Sequence, residues 1–376
     1  CSSDLSSWGQ TGNDGGISNY AWQPLYALGW NNATEPGILQ SSLGSKSLEW
    51  ETNTAFDVAL EFGLFKNRLS GTIEYFDRQS TNLIFAVPLP LSVGIGSETR
   101  NIGSMYNRGI ELQLSADLIR TKDFVWNVDL NATRLENKIT KMPAESKEII
   151  DGTKKLKEGS SLYDYWLREY KGVNPETGVA EYRAISYVPA NSRITANGDT
   201  LTNNIANARF WYNGSSIPDL TGSVNTSLRY KGFSLSALMV YQLGGKIYDG
   251  AYASLMSAGY HSAKHEDILK RWINPGDITN VPRMDNGRTA DFDAASDRWL
   301  IDGSFMNIRT VTLSYRLPKS VLSRFKIDNA QVYVSGENFL MLSRRSGMNV
   351  QQNFGGTTSN VYSPAKSLVL GLSFAL

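Results

Sequence analysis

Three stretches of the chain carry side chains equipped for chemistry. HSAKHED (261–267) sets His261 and His265 four residues apart, the spacing that puts two imidazoles on one face of a helix for zinc. Ser262 stands where a zinc hydrolase needs its glutamate base. The segment therefore reads as a solvated helical piece of a loop, stopped at Pro275 in KRWINPGD. MDNGRTADFDAASD (284–297) gathers Asp285, Asp291, Asp293 and Asp297. Carboxylate oxygens suit calcium, but no glutamate closes a loop of alternating ligands. Asp285, Asp291 and Asp293 are thus weak calcium candidates beside the default of a solvated acidic loop. The third group is aromatic: Tyr163, Tyr165, Trp166, Trp211, Tyr212 and Trp272, with Asp164, Arg168 and Asn213 nearby to hydrogen-bond hydroxyls. Aromatic faces stack on sugar rings, and they bury equally well against a covering protein or against each other. Catalytic residues are not in sight. GIGSE (94–98) and Gly244-Gly245 lack the Lys-Ser/Thr of a phosphate loop, no G-x-S-x-G occurs, and the chain has only two histidines.

The elements that must hold these groups alternate with period two. Phe56, Val58, Leu60, Phe62 and Leu64 share one face of a strand; Ile110, Leu112, Leu114, Ala116 and Leu118 share another. The same pattern recurs at 69–75, 124–132, 220–230, 233–243, 311–317, 330–336 and 367–376. That makes nine strands, and a tenth is expected near the N-terminus. Glu61, Glu74, Glu111, Asp117, Asp129, Arg229, Arg316 and Glu337 all fall on the parity opposite the apolar set. A one-residue slip would turn each of them onto the greasy face. If that face meets lipid, a basic residue near the midplane costs about 2–4 kcal/mol. A soluble sandwich obeys the same rule, so parity alone leaves both open.

The connections discriminate. Short links at Lys66-Asn67, Arg120–Asp123, Lys231-Gly232 and Pro318–Asp328 alternate with long ones near 80–105, 140–218, 244–304 and 341–365. Antiparallel neighbours then carry every short turn at one end and every long loop at the other, as transmembrane barrels do. Compact soluble domains rarely hold structureless links of that length. Phe62, Phe124, Trp126, Tyr230, Phe233, Tyr315 and Phe374 mark the short-turn end. Phe56, Tyr75, Tyr106, Tyr241, Phe305 and Phe339 mark the other, as two interfacial belts would. The closing SLVLGLSFAL, apolar on one side and uncharged, is an aggregation hazard in water and unremarkable in lipid.

Composition agrees. Among 376 residues, 37 Lys and Arg balance 36 Asp and Glu, which gives no electrostatic reason for nucleic acid. The single cysteine, Cys1, excludes an internal disulfide. It is either the lipid-modified first residue of a mature lipoprotein or simply where a fragment begins.

DRWLIDGSFMNIRTVTLSYRLPKSV (297–321) and NAQVYVSGENFL (329–340) resemble the C-terminal strands of SusC/RagA-type TonB-dependent outer-membrane transporters. Residues 47–90, 101–119 and 217–249 resemble the same family, in family order. The resemblance implies an all-β fold: residues 1–376 as the C-terminal portion, roughly half, of a large plugged transmembrane β-barrel. Long extracellular loops would lie near 140–218 and 244–304. It implies import of oligosaccharides, with peptides as the alternative, under a SusD-like surface lipoprotein. Energy would come from TonB–ExbB–ExbD through N-terminal parts not in this chain. No cofactor is implied. The six aromatics then become candidates for substrate or lid contact. Two rival readings are a transporter-like barrel reused as a scaffold and a soluble surface lectin.

Overall fold

The structure, a computed structural model, describes residues 2–15, 17–143, 146–260, 262–323, 327–351, 355–358 and 363–375. It comprises two compact units, one of residues 1–115, 133–150 and 156–162, the other of residues 116–132, 151–155 and 163–376. The first unit holds β1 (Ser2–Asn13), β2 (Glu51–Leu64), β3 (Leu69–Thr81) and parts of β4 (Ser104–Arg120) and β5 (Phe124–Lys141). The second holds the remainder of that hairpin. It also holds β6 (Leu220–Tyr230), β7 (Phe233–Leu243), β8 (Phe305–Arg316), β9 (Asn329–Ser343) and β10 (Ser367–Ala375). Within each unit strands pair with their chain neighbours, and each register given is antiparallel, from Ser2↔Phe62 in β1–β2 to Glu337↔Ser367 in β9–β10. The expected tenth strand is β1. The short and long links fall where the sequence places them, with one further long link over 14–50.

Exposure separates the membrane reading from the sandwich reading. A sandwich buries the apolar parity between its sheets. Here that parity is open: Leu60 is 42% exposed, and Leu368 and Leu370 on β10 are 78% and 79% exposed. A row of bare leucines along a strand requires an apolar solvent, and lipid supplies it. The soluble-lectin reading falls with this observation. Glycines on these strands seat aromatic rings from the directly paired residue of the next strand. Tyr333 lies over Gly371, Phe62 over Gly71, and Tyr241 over Gly222 with its hydroxyl donating to Asn131 O at 3.1 Å. The rings fill the space a side chain would take and help fix register.

One belt residue is corrected. Phe305 is buried with Ile247 and Val350 instead of lying among the outer aromatics. A bulge at Arg309, which has no partner on β7 between Leu238↔Thr310 and Met239↔Ile308, reverses the parity of the residues that precede it on β8.

The long links are not structureless. In the second unit, residues 163–219 and 244–304 build a common apolar core of Val179, Ala180, Tyr182, Ala208, Ala258, Phe292 and Ala294. Met256, Val281 and Trp299 form a further cluster. Small ladders join Tyr170–Val173, Ala180–Arg183, Ser192–Ile194 and Thr200–Thr202. Two buried polar groups there are paired: Glu181 accepts from Arg193 and Asn174, and Tyr182 donates to Asp291 O at 2.6 Å. The expected helix at HSAKHED is also corrected. His261 lies outside the described residues, and His265 is extended, its Nδ1 accepting the Asp267 amide at 3.1 Å. Only a 3₁₀ turn, Glu266–Lys270, follows, and it ends five residues before Pro275.

Candidate functional site

The strand Asp164–Arg168 pairs with Phe210–Ser215, and this ladder sorts the aromatic candidates by parity. Trp166 faces Tyr212 across the ladder, with ring centroids 4.8 Å apart at 61°. Phe210 stacks on Trp166 from the other side, and the cations Lys155 and Arg168 cover Trp166 and Phe210 at 4.1 and 4.4 Å. Tyr165, one residue along, points the opposite way and is fully buried. Its hydroxyl donates to Gly356 O at 2.6 Å and makes a longer contact with Lys246 O at 3.1 Å. Tyr163 is half-buried, and its carbonyl accepts from Lys154. Trp272 lies elsewhere, over Gly178 (φ +71°), its indole donating to Pro175 O at 2.7 Å. Two of the six candidates therefore meet, and Trp211, on the Tyr165 side of the ladder, reaches a cleft of its own.

That cleft has a volume of about 650 Å³ and lies wholly within the second unit. Trp211, Asn213, Asp219, Lys246, Asp297 and Asp302 supply its chemistry. Antiparallel pairing brings them together. Asp219 precedes β6, Gly244–Lys246 follow β7, and Asp302 shortly precedes β8, so consecutive neighbours end at one rim. Gly244 and Gly245 take φ of +73° and +74°, conformations open to glycine, and turn the chain out of β7 into the strand Lys246–Tyr248. Trp211 and Asp297 both line the cleft, and the Asp297 carboxylate accepts the Tyr170 amide at 2.8 Å. Burial raises the Asp297 carboxyl above its ordinary range. Asp302 is held low by the Ser304 hydroxyl, at 2.6 Å, and amide, at 2.8 Å. Lys246 Nζ donates to Asn213 O at 2.6 Å. An aromatic wall beside carboxylate, amide and ammonium groups suits a polyhydroxylated ligand: ring stacking on one side, hydroxyl hydrogen bonds on the other.

Asn213 and Asp297 were legible as polar neighbours of aromatics or aspartates. Asp219, Lys246 and Asp302 were not, although the available signal was their place at the long-loop ends of adjacent strands. The calcium candidates do not converge on a cation. Asp285 pairs with Arg283 at 2.9 Å, and Asp291 pairs with Arg288 at 2.9 Å. Asp293 accepts from Ser257 Oγ at 2.7 Å and from the Ala258 amide at 3.0 Å. Among the described residues no three His, Cys, Asp or Glu side chains form a metal-binding group.

Antiparallel strands with one open apolar face, joined at one end by folded links around a polar cleft, define the wall of a membrane β-barrel. The chain belongs to the family described as "TonB dependent receptor-like, beta-barrel", whose model matches residues 7–339, and it is an outer-membrane protein of the SusC/RagA type. TonB-dependent receptor P3 of Formosa agariphila is 28% identical over 367 residues, covering 93% of this chain and 35% of that protein. TonB-dependent receptor SusC of Bacteroides thetaiotaomicron is 24% identical, covering 97% of this chain and 36% of that protein. The solved structure of the RagAB peptide transporter matches with a TM-score of 0.84 at 26% identity, over 99% of this chain and 40% of that one. The chain thus spans about a third of the length of the curated relatives it matches.

Proposed function

We propose that residues 1–376 form the C-terminal portion of the barrel of a TonB-dependent importer that takes up oligosaccharides beneath a SusD-like surface lipoprotein. The observation that carries the substrate is the cleft, where Trp211 stands among Asn213, Asp219, Lys246 and Asp302. Sugar rings stack on such a wall while hydroxyls reach the polar rim. Energy would come from TonB–ExbB–ExbD, acting on gating and not on covalent chemistry. A second reading, peptide import, is supported by the match to the RagAB peptide transporter.

The test is equilibrium binding to the protein purified from its native outer membrane. A panel of neutral oligosaccharides and mixed peptides would be titrated against it and against its Trp211→Ala variant. Oligosaccharide binding weakened about ten-fold or more by the variant supports the proposal. Peptide binding without sugar binding transfers the assignment to the second reading. Binding of neither leaves the scaffold reading in possession.

A further inference from the structure

The outward faces of β4 and β5 both change from apolar to charged before the strands reach their long-loop ends. On β4 the outward set Ile110, Leu112, Leu114, Ala116 and Leu118 runs over nine residues, about 23 Å at a tilt of about 40°, close to a whole apolar band. Ile110, the member nearest the long-loop end, is 52% exposed. The next residues of that parity are Arg108 and Tyr106. On β5 the outward set Phe124, Trp126, Val128 and Leu130 continues through Ala132 and then becomes Arg134, Glu136 and Lys138. The first charges on both strands therefore stand where the hydrocarbon ends. The long-loop end of a membrane barrel is the extracellular one, so this border belongs to the outer leaflet.

Side-chain contacts confirm that the charges share one face. Arg108 Nε and Nη2 each donate to Glu136 Oε2 at 2.8 Å, and Lys138 Nζ lies 2.6 Å from Glu136 Oε1. The Arg108 guanidinium also covers the Tyr106 ring at 4.4 Å from its centre. The Arg108 and Glu136 side chains are 42% exposed and that of Lys138 is 43% exposed. Arg134 is exposed and has no ion pair among the described residues. On β3, Asp77 is a second outward carboxylate, since it pairs with Phe56. Three cations thus stand against two carboxylates, all within the first unit. Both Glu136 oxygens are already engaged, so this carboxylate fixes two cations while their remaining N–H groups stay free to point outward.

We propose that Arg108, Arg134 and Lys138 bind the phosphate of an anionic lipid headgroup in the outer leaflet, with Glu136 as the positioning residue for Arg108 and Lys138. Two guanidinium forks and an ammonium match a phosphate's oxygens, and such bonds are strongest where water is partly excluded. The acyl chains of the same lipid would lie against Ile110 and Leu112 directly below, continuing the lipid-facing surface of β4.

Three probes test it: an acylated disaccharide bisphosphate, the same glycolipid stripped of its phosphates, and inorganic phosphate. Each is titrated into the whole protein purified from its native outer membrane in a neutral detergent, and bound lipid is counted by native mass spectrometry. The phosphorylated lipid should bind about ten-fold or more tightly than the stripped one. The double variant Arg134→Gln with Lys138→Gln should weaken it about twenty-fold, at about five-fold per cation. Arg78→Gln, on the inward parity of β3, should leave it unchanged. Arg134→Gln alone breaks no ion pair among the described residues, and its expected loss of about five-fold decides the matter if the double variant does not fold. Equal binding of the two lipids overturns the proposal, since interfacial cations that merely anchor the strands would not distinguish them. Unchanged affinity in Arg134→Gln and in the double variant overturns it too. So does displacement of the lipid by millimolar inorganic phosphate, which would make this a site for a free anion. None of these outcomes depends on the import reading.

Discussion

Replacing Leu60 with arginine separates the lipid reading from every soluble alternative. Leu60 is the middle member of the outward set Phe56, Val58, Leu60, Phe62 and Leu64 on β2. Nine residues from 56 to 64, rising about 3.4 Å each and tilted by about 40°, span roughly 23 Å, close to an apolar band of about 25 Å. Leu60 therefore sits near the midplane, where an arginine costs at most about 2–4 kcal/mol, reduced by whatever Asp4, its paired residue on β1, returns. This lowers the folded-to-unfolded ratio by at most about thirty-fold to seven-hundred-fold. Ala59, one residue away, lies on the other face opposite Glu74. An arginine there meets a carboxylate and should change stability by no more than about 1 kcal/mol. The assay is urea unfolding of the whole protein from phospholipid vesicles, followed by tryptophan fluorescence, with both variants beside the wild type. Equal losses from Leu60→Arg and Ala59→Arg, or a larger loss from the second, would refute the assignment of the two faces.

Three further outcomes follow from single contacts. Gly222→Val should destabilise the protein by about 1–3 kcal/mol, because a side chain at 222 would run into Asn131 O and the Tyr241 ring; urea unfolding measures it. Tyr165→Phe strips the hydroxyl from Gly356 O and should cost about 1–2 kcal/mol, seen as faster exchange of the Tyr248 amide with the barrel transition unchanged. Arg345→Met leaves the buried Asp249 without its ion-pair partner at 3.0 Å and should cost about 3–5 kcal/mol locally. Its readout is accelerated proteolysis within 344–358, and unchanged cleavage would show that Asp249 finds its partners elsewhere.

What the sequence by itself determined is whatever depends on period and spacing. Alternation along Phe56–Leu64 and Leu368–Phe374 marks one apolar face per strand because successive side chains point to opposite sides. Alternating short and long links fix which strand ends lie together, and the long family match fixes the class. Parity could not say whether the greasy face met lipid or a second sheet; the exposure of Leu60, Leu368 and Leu370 decided that. Nor could it follow β8 through its bulge, since one extra residue at Arg309 reverses the side chains that precede it on the strand and buries Phe305. The candidate site shows the same division. Six aromatics were visible as residue types, but only the pairing of Asp164–Arg168 with Phe210–Ser215 sends Tyr165 inward and leaves Trp166 beside Tyr212. Asp219, Lys246 and Asp302 lie 83 residues apart from first to last and meet because β6, β7 and β8 are neighbours with their long-loop ends together. A local pattern carries the direction of each side chain; the partners that direction finds are set by strand order and register over long separations.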